Sequence, residues 1–107
     1  MRSKRPRARR YAFAASIELT DLETEARIKE QTRDLSLFGC SVDLQKALPT
    51  GTRVRLRISH AGENFIALGK VVYAGQGSGM GIAFTKVEPN HELVLENWIA
   101  ELREPRG

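Results

Sequence analysis

One cysteine, two histidines and no long apolar run set the first limits on this 107-residue chain. A lone cysteine cannot close a disulfide within the chain, so the fold must rest on its core, and the sequence fits a reducing cytosol. No stretch approaches the roughly 20 consecutive apolar residues of a membrane-spanning helix. The basic start resembles the first region of a signal peptide, yet Tyr11 to Glu18 is interrupted before an apolar region forms. The expected location is cytoplasmic, without membrane insertion. Neither His60 nor His91 has a cysteine, histidine or carboxylate at metal-ligand spacing, so both are expected as solvated surface groups and no metal is expected. Cys40 alternates with Val42 and reads as a small buried hydrophobe, not a nucleophile. Asp34, Ser36 and a histidine do not make a triad without a strand-to-helix nucleophile elbow. The glycine-rich Ala74 to Gly79 lacks a Gly-Lys-Ser/Thr ending and runs into a strand pattern, Met80 to Phe84. It is therefore a hairpin loop, since a phosphate loop must open a helix. The chain is expected to bind, with no catalytic activity and no cofactor.

Charge is unevenly spread. Residues 1–10 hold six basic side chains and no acid, which leaves 11 basic and 13 acidic residues in the remainder. The whole positive excess of the chain thus sits on one short arm. The arm has no apolar periodicity, is expected to be disordered when free, and suits an anionic target.

From residue 11 the length suits one domain, expected over 11–104, with a single core. Tyr11, Phe13, Ala15, Ile17 and Leu19 alternate as one half-buried strand. Ala26 to Arg33 is charged and reads as an exposed or edge strand, followed by a strand with Cys40, Val42 and Leu44 inward. Leu48 to Gly51 is turn chemistry. Val54, Leu56 and Ile58 then oppose Arg53, Arg55 and Arg57, so one face is core and the other a solvated row of guanidinium groups. Phe65 to Tyr73 is apolar on both sides and is expected to be covered on both, with Gly69 marking a bulge or tight bend. After Pro89 and Asn90, the stripe Leu95, Trp98, Ile99 and Leu102 has helical spacing. Trp98 is placed to anchor the core at one end. Six strands and a terminal helix without βαβ alternation predict an all-β fold, a small antiparallel barrel with a helical lid.

Between the second and third strands lies Asp34-Leu35-Ser36-Leu37-Phe38-Gly39. Residues two apart in an extended chain share a face, so Asp34 and Ser36 are expected to present an acceptor and a hydroxyl together, with Gly39 turning the chain. On its own such a run reads as a turn before a strand. With the basic arm, the Leu48-Pro49-x-Gly51-x-x-Val54-x-Leu56 strand, the Gly79-x-Gly81-Ile82-x-Phe84 strand and the closing helix, it resembles the PilZ domain, a bacterial module that binds the second messenger cyclic di-GMP. The resemblance runs from about Arg5 to Leu102.

The resemblance implies a six-stranded antiparallel barrel with a C-terminal helix. It also implies a binding signature in two halves. Asp-x-Ser-x-x-Gly is complete as Asp34, Ser36 and Gly39. The Arg-x-x-x-Arg half, measured back from the first strand, starts at Arg9 and meets Phe13 where its second arginine belongs. An intact version, Arg5 to Arg9, stands four residues earlier, and Arg10 is a further substitute. Arg9 belongs to either register and ranks first. A guanidinium bonds guanine edges in parallel, pairs with phosphate and stacks on a base, while a carboxylate accepts from guanine N–H groups. The leading expectation is a cyclic di-GMP receptor or adaptor, monomeric or weakly dimeric, whose arm folds over the ligand and signals to a downstream protein partner. A degenerate domain that has lost the nucleotide and acts through protein contacts is the alternative. Nucleic-acid binding through the arm is disfavoured, since Tyr11 and Phe13, the only aromatic residues nearby, fit the first strand.

Overall fold

The computed structural model describes residues 8–43, 48–75 and 79–104. Its elements are β1 (Tyr11–Ala12), β2 (Ser16–Asp21), β3 (Arg27–Leu35), β4 (Gly39–Asp43), β5 (Arg53–His60), β6 (Glu63–Gly75), β7 (Gly79–Val87) and α1 (Pro89–Arg103). Alternation in β5 shows why the chain takes this form. Val54, Leu56 and Ile58 are fully buried, while Arg53, Arg55 and Arg57 between them are exposed. Ile58 lies between Ile17 and Phe65, and Leu56 between Leu19 and Ala67, so each apolar row runs across β2, β5 and β6. Full burial of such a side chain contributes about 1.5–3 kcal/mol.

All pairings are antiparallel in the order β1-β3-β2-β5-β6-β7-β4, and a further β3–β4 pairing closes six of the strands into a barrel. Closure revises one expectation. Hydrogen-bonded to β2 on one side and to β4 on the other, β3 is no edge strand, and its charged residues face solvent from inside the ladder.

The expected first strand is divided. Tyr11–Ala12 pairs with the end of β3, Ser16–Asp21 pairs with its start, and residues 13–15 bow between them. Thr32 holds the bow. Its buried hydroxyl accepts the Ala15 N–H at 2.9 Å and donates to the Phe13 carbonyl, while the Thr32 N–H reaches the Ala15 carbonyl. The described strands therefore number seven, with β1 the extra one.

Pro89 opens α1, whose buried face is Leu95, Trp98 and Ile99, with Leu102 half-buried. Trp98 closes the barrel end as expected, its ring centroid 5.6 Å from Phe13 and 6.4 Å from Phe65. The histidines differ from expectation because they lie at this same end. His60 packs edge-on against Phe13 and Trp98, and His91 Nδ1 accepts the Ile66 N–H at 3.2 Å. Neither joins a group of metal-binding residues among those described. The second face of β6 is not fully covered either: Ile66 and Leu68 are half-buried, and Val72 is 49% exposed. The expected bulge is present where the β6–β7 register shifts between Leu68 and Gly69. Leu44 and the tip of the 74–79 hairpin fall outside the described residues. Among those described, no helix is long and apolar enough to cross a membrane.

Candidate functional site

Four neighbouring strands bring Asp34, Ser41, Gly81 and Tyr73 into one row. Asp34 opposes Ser41, Ser41 opposes Gly81, and Gly81 opposes Tyr73. Gly81 makes the row possible. A Cβ there would occupy the space of the Tyr73 ring, so the missing side chain lets the ring lie across β7. The phenol oxygen then reaches Ser41 Oγ at 2.9 Å.

The bow in residues 13–15 lets β1 follow the end of β3, with Tyr11 opposite Leu35 and Ala12 opposite Asp34. Arg10, just before β1, is thereby brought over the row. Its Nη1 lies 3.5 Å from Asp34 Oδ2 and 3.2 Å from Ser41 Oγ. The other carboxylate oxygen, Oδ1, accepts the Ser41 N–H at 3.0 Å, which holds Asp34 against β4. The ion pair is long and open to water, with the Arg10 side chain 55% exposed, so it positions more than it stabilises. Hydrogen bonding to Tyr73, with the Asp34 charge close by, holds the Arg10 guanidinium above its already high value against the opposing effect of burial. Tyr73 is lowered from its ordinary value, first by the Ser41 hydrogen bond and then by Arg10.

Ser36 and Gly39 form the adjoining turn. The Ser36 hydroxyl accepts the Phe38 and Gly39 N–H groups, each at 3.2 Å, and donates to the Gly39 carbonyl. One donor and two lone pairs are thus all engaged in shaping the turn. Gly39 stands where the chain turns back into β4. Its φ is not positive; instead the Ile82 carbonyl of β7 comes so close that a Cβ would meet it.

Beside the row lies an open groove of about 430 Å³, lined by Arg10, Ser36, Phe38, Gly39, Val72 and Gly81 among others. Its walls include two exposed apolar side chains, Phe38 at 51% and Val72 at 49%. A guanidinium at the groove, in contact with the Asp34 carboxylate and next to apolar walls, suits a flat ligand with hydrogen-bonding edges and negative charge.

Of the residues singled out in the sequence, the fold gathers Arg10, Asp34, Ser36 and Gly39. Arg9 goes elsewhere: its guanidinium carbon lies 5.8 Å from the centre of the Tyr11 ring. Arg5 is outside the described residues. Phe13, at the expected second-arginine position, is 6% exposed in the core between His60 and Trp98. Sequence reasoning missed Ser41, Tyr73 and Gly81, because each looks like an ordinary strand residue until register aligns them. Cys40, next in the chain to Ser41, is buried as expected, and burial pushes its thiol up to about 12.

Solved structures of other proteins share this architecture. The inhibitor of motility MotI/DgrA from Bacillus subtilis aligns with a TM-score of 0.74 at 16% identity, over 99% of this chain and 55% of that one, so the present chain spans about half its length. The PilZ domain of CeSA from a cellulose-synthesizing bacterium gives 0.70 at 21% identity, over 89% and 98%. The PilZ domain of YcgR from Escherichia coli, solved with c-di-GMP, gives 0.74 at 19% identity, over 94% and 93%. No curated protein sequence matches the chain significantly. At these identities the structural likeness speaks for the fold, while the family model for the PilZ domain matches residues 2–101 directly. The chain belongs to the PilZ domain family.

Proposed function

We propose that this chain is a non-catalytic receptor for cyclic di-GMP, and that residues before β1 fold over the nucleotide to change the surface offered to a protein partner. One observation carries the reading: Arg10, which reaches Asp34, lines a groove together with Ser36 and Gly39 of the family signature. The two opposite charges suit the two ends of a guanine nucleotide. The carboxylate accepts from guanine N–H groups, and the guanidinium serves the phosphate or the O6/N7 edge. Ser36 contributes by fixing the turn. Asp34 is held by the Ser41 N–H and is ready to accept, whereas Arg10 is exposed enough to swing from Asp34 to the ligand. Family membership supports the same ligand, as does the c-di-GMP in the YcgR structure. Binding here needs neither metal nor further cofactor, and a cytoplasmic setting accords with such a role.

Calorimetric titration with cyclic di-GMP, against GTP as control, tests this. Each good bidentate contact is worth about 1–3 kcal/mol. Arg10→Ala and Asp34→Ala should therefore each weaken binding by roughly 5- to 150-fold, and Arg9→Ala by less. Protection of the N-terminal amides from exchange should rise on binding. Absence of selective binding by folded protein rejects the receptor reading.

One observation favours the second reading, a PilZ domain working by protein contacts without nucleotide. Phe13 stands at an arginine position of the signature and is locked into the core. That reading predicts no heat with cyclic di-GMP at any concentration used.

A further inference from the structure

The barrel gathers charge on a face whose central depression shares no lining residue with the groove. On outward positions of β3, β2, β5 and β6 stand Arg27, Lys29, Arg53, Arg55, Arg57 and Lys70, all exposed. These are six of the 11 basic residues that follow the arm. Against them the paired strands set one acid, Glu18, which pairs with Arg57 at 2.9 Å, and Glu88 borders the same surface beside Arg55, Ile66 and Leu68. The other five cations have no ion pair among the described residues. Register worsens their repulsion, for Arg53 sits directly opposite Lys70, and like charges so placed oppose sheet formation. A solvated face needs no such concentration of one sign in a body whose sequence is otherwise slightly acidic.

The centre of the face has a defined shape. Thr20 lies between Arg27 on β3 and Arg55 on β5 in one register row, so two long guanidinium side chains flank one short hydroxyl. Together with Glu18, Arg57 and Ile66 they border a shallow depression of about 290 Å³. Ile66 and the half-buried Leu68 add aliphatic surface beside the arginines.

We propose that this face docks an acidic segment of a partner protein, with Arg27 and Arg55 taking its carboxylates across Thr20 and an aliphatic residue settling against Ile66 and Leu68. Arginine is suited to the task, because its planar fork bonds a carboxylate through two parallel N–H groups. Arginine next to aliphatic surface is also the composition of protein interfaces. Nucleic acid fits less well. The outward positions of these four strands opposite one another carry no aromatic side chain on which a base can stack. The surface is separate from Arg10 and Asp34, so a domain built this way presents a partner site beside its ligand groove.

The test is a two-dimensional NMR titration of the ¹⁵N-labelled full chain with a soluble peptide alternating glutamate with alanine and leucine. Amide shifts are expected at Thr20, Arg27, Arg55 and Ile66. The double variant Arg27→Gln/Arg55→Gln should weaken binding by about tenfold or more, and Arg103→Gln on the helix by less than about twofold. Arg27→Glu/Arg55→Glu should instead take up a lysine-containing version of the peptide that the unaltered chain ignores. Shifts confined to Arg9 and Arg10, or an affinity that the double variant leaves unchanged, overturn the proposal. So does a short DNA duplex that gives the same shifts at lower concentration, which assigns the face to nucleic acid. Concentration-dependent shifts on the face without peptide overturn it in favour of a second copy of the chain. None of these outcomes depends on whether cyclic di-GMP binds.

Discussion

Replacing Thr32 tests how the fold delivers Arg10 to Asp34. The Thr32 side chain is 2% exposed, and its hydroxyl both accepts the Ala15 N–H and donates to the Phe13 carbonyl. Valine keeps the shape and removes both bonds, leaving a buried donor and a buried acceptor without partners. Each such group costs about 1–3 kcal/mol, so Thr32→Val should destabilise the domain by roughly 2–5 kcal/mol. Serine keeps the hydroxyl and loses one methyl, a cost of about 1 kcal/mol. Urea unfolding followed by the single tryptophan is the assay. Trp98 packs on Phe13, inside the bow that Thr32 holds, and so reports directly on it. At an ordinary urea dependence of about 1–3 kcal/mol per molar, the valine midpoint should fall by roughly 1 M or more. The serine midpoint should fall by less. Because the bow sets the path of β1, the valine variant should also lose the Arg10–Asp34 approach, visible as averaged N-terminal amide signals. A valine variant as stable as the serine one would refute the reasoning, since the hydroxyl would then not be holding the strands.

Gly81→Ala should push the Tyr73 ring off β7 and break its contact with Ser41, at about 1 kcal/mol for the hydrogen bond; ring resonances of Tyr73 unchanged from the parent would contradict this. The Tyr73 phenol should titrate below its ordinary 10.0, and Ser41→Ala should move it back up. Difference absorbance against Tyr73→Phe isolates that phenolate. The lowered value means that its contribution to stability is complete above the unfolded value and lost as pH falls through the folded one. Cys40 behaves in the opposite sense. With its thiol raised from 9.0 to about 12 by burial, its contribution is complete below pH 9.0 and lost as pH rises toward 12. Cys40→Ala should therefore flatten alkaline unfolding, and alkylation of the native thiol should be far slower than in urea; equal rates would place Cys40 at the surface.

Much of this protein follows from local pattern. Alternation in β5 and the i, i+3, i+4 stripe of α1 each state which face is core, because side-chain direction in strands and helices has a fixed period. The Asp34 to Gly39 motif was equally legible, since its residues are contiguous. Register was not. Whether Ala26 to Arg33 lay at an edge depended on β4 returning to it, and that pairing joins segments whose sequences carry no mark of one another. Thr32 looked like any β-branched strand residue until its hydroxyl was found to divide the first strand. The choice of Arg10 over Arg9 depended on that division, for a strand reverses side-chain direction at each residue and a bow changes which one faces the carboxylate. Ser41, Gly81 and Tyr73 came together only by closure of the barrel. By itself the sequence determined the core-facing residues, the helix, the turn carrying Asp34 and the basic arm. Only the tertiary structure decided which arginine meets Asp34 and which side chains complete the site, because contacts between strands are set by register over the whole sheet and not by any short stretch of chain.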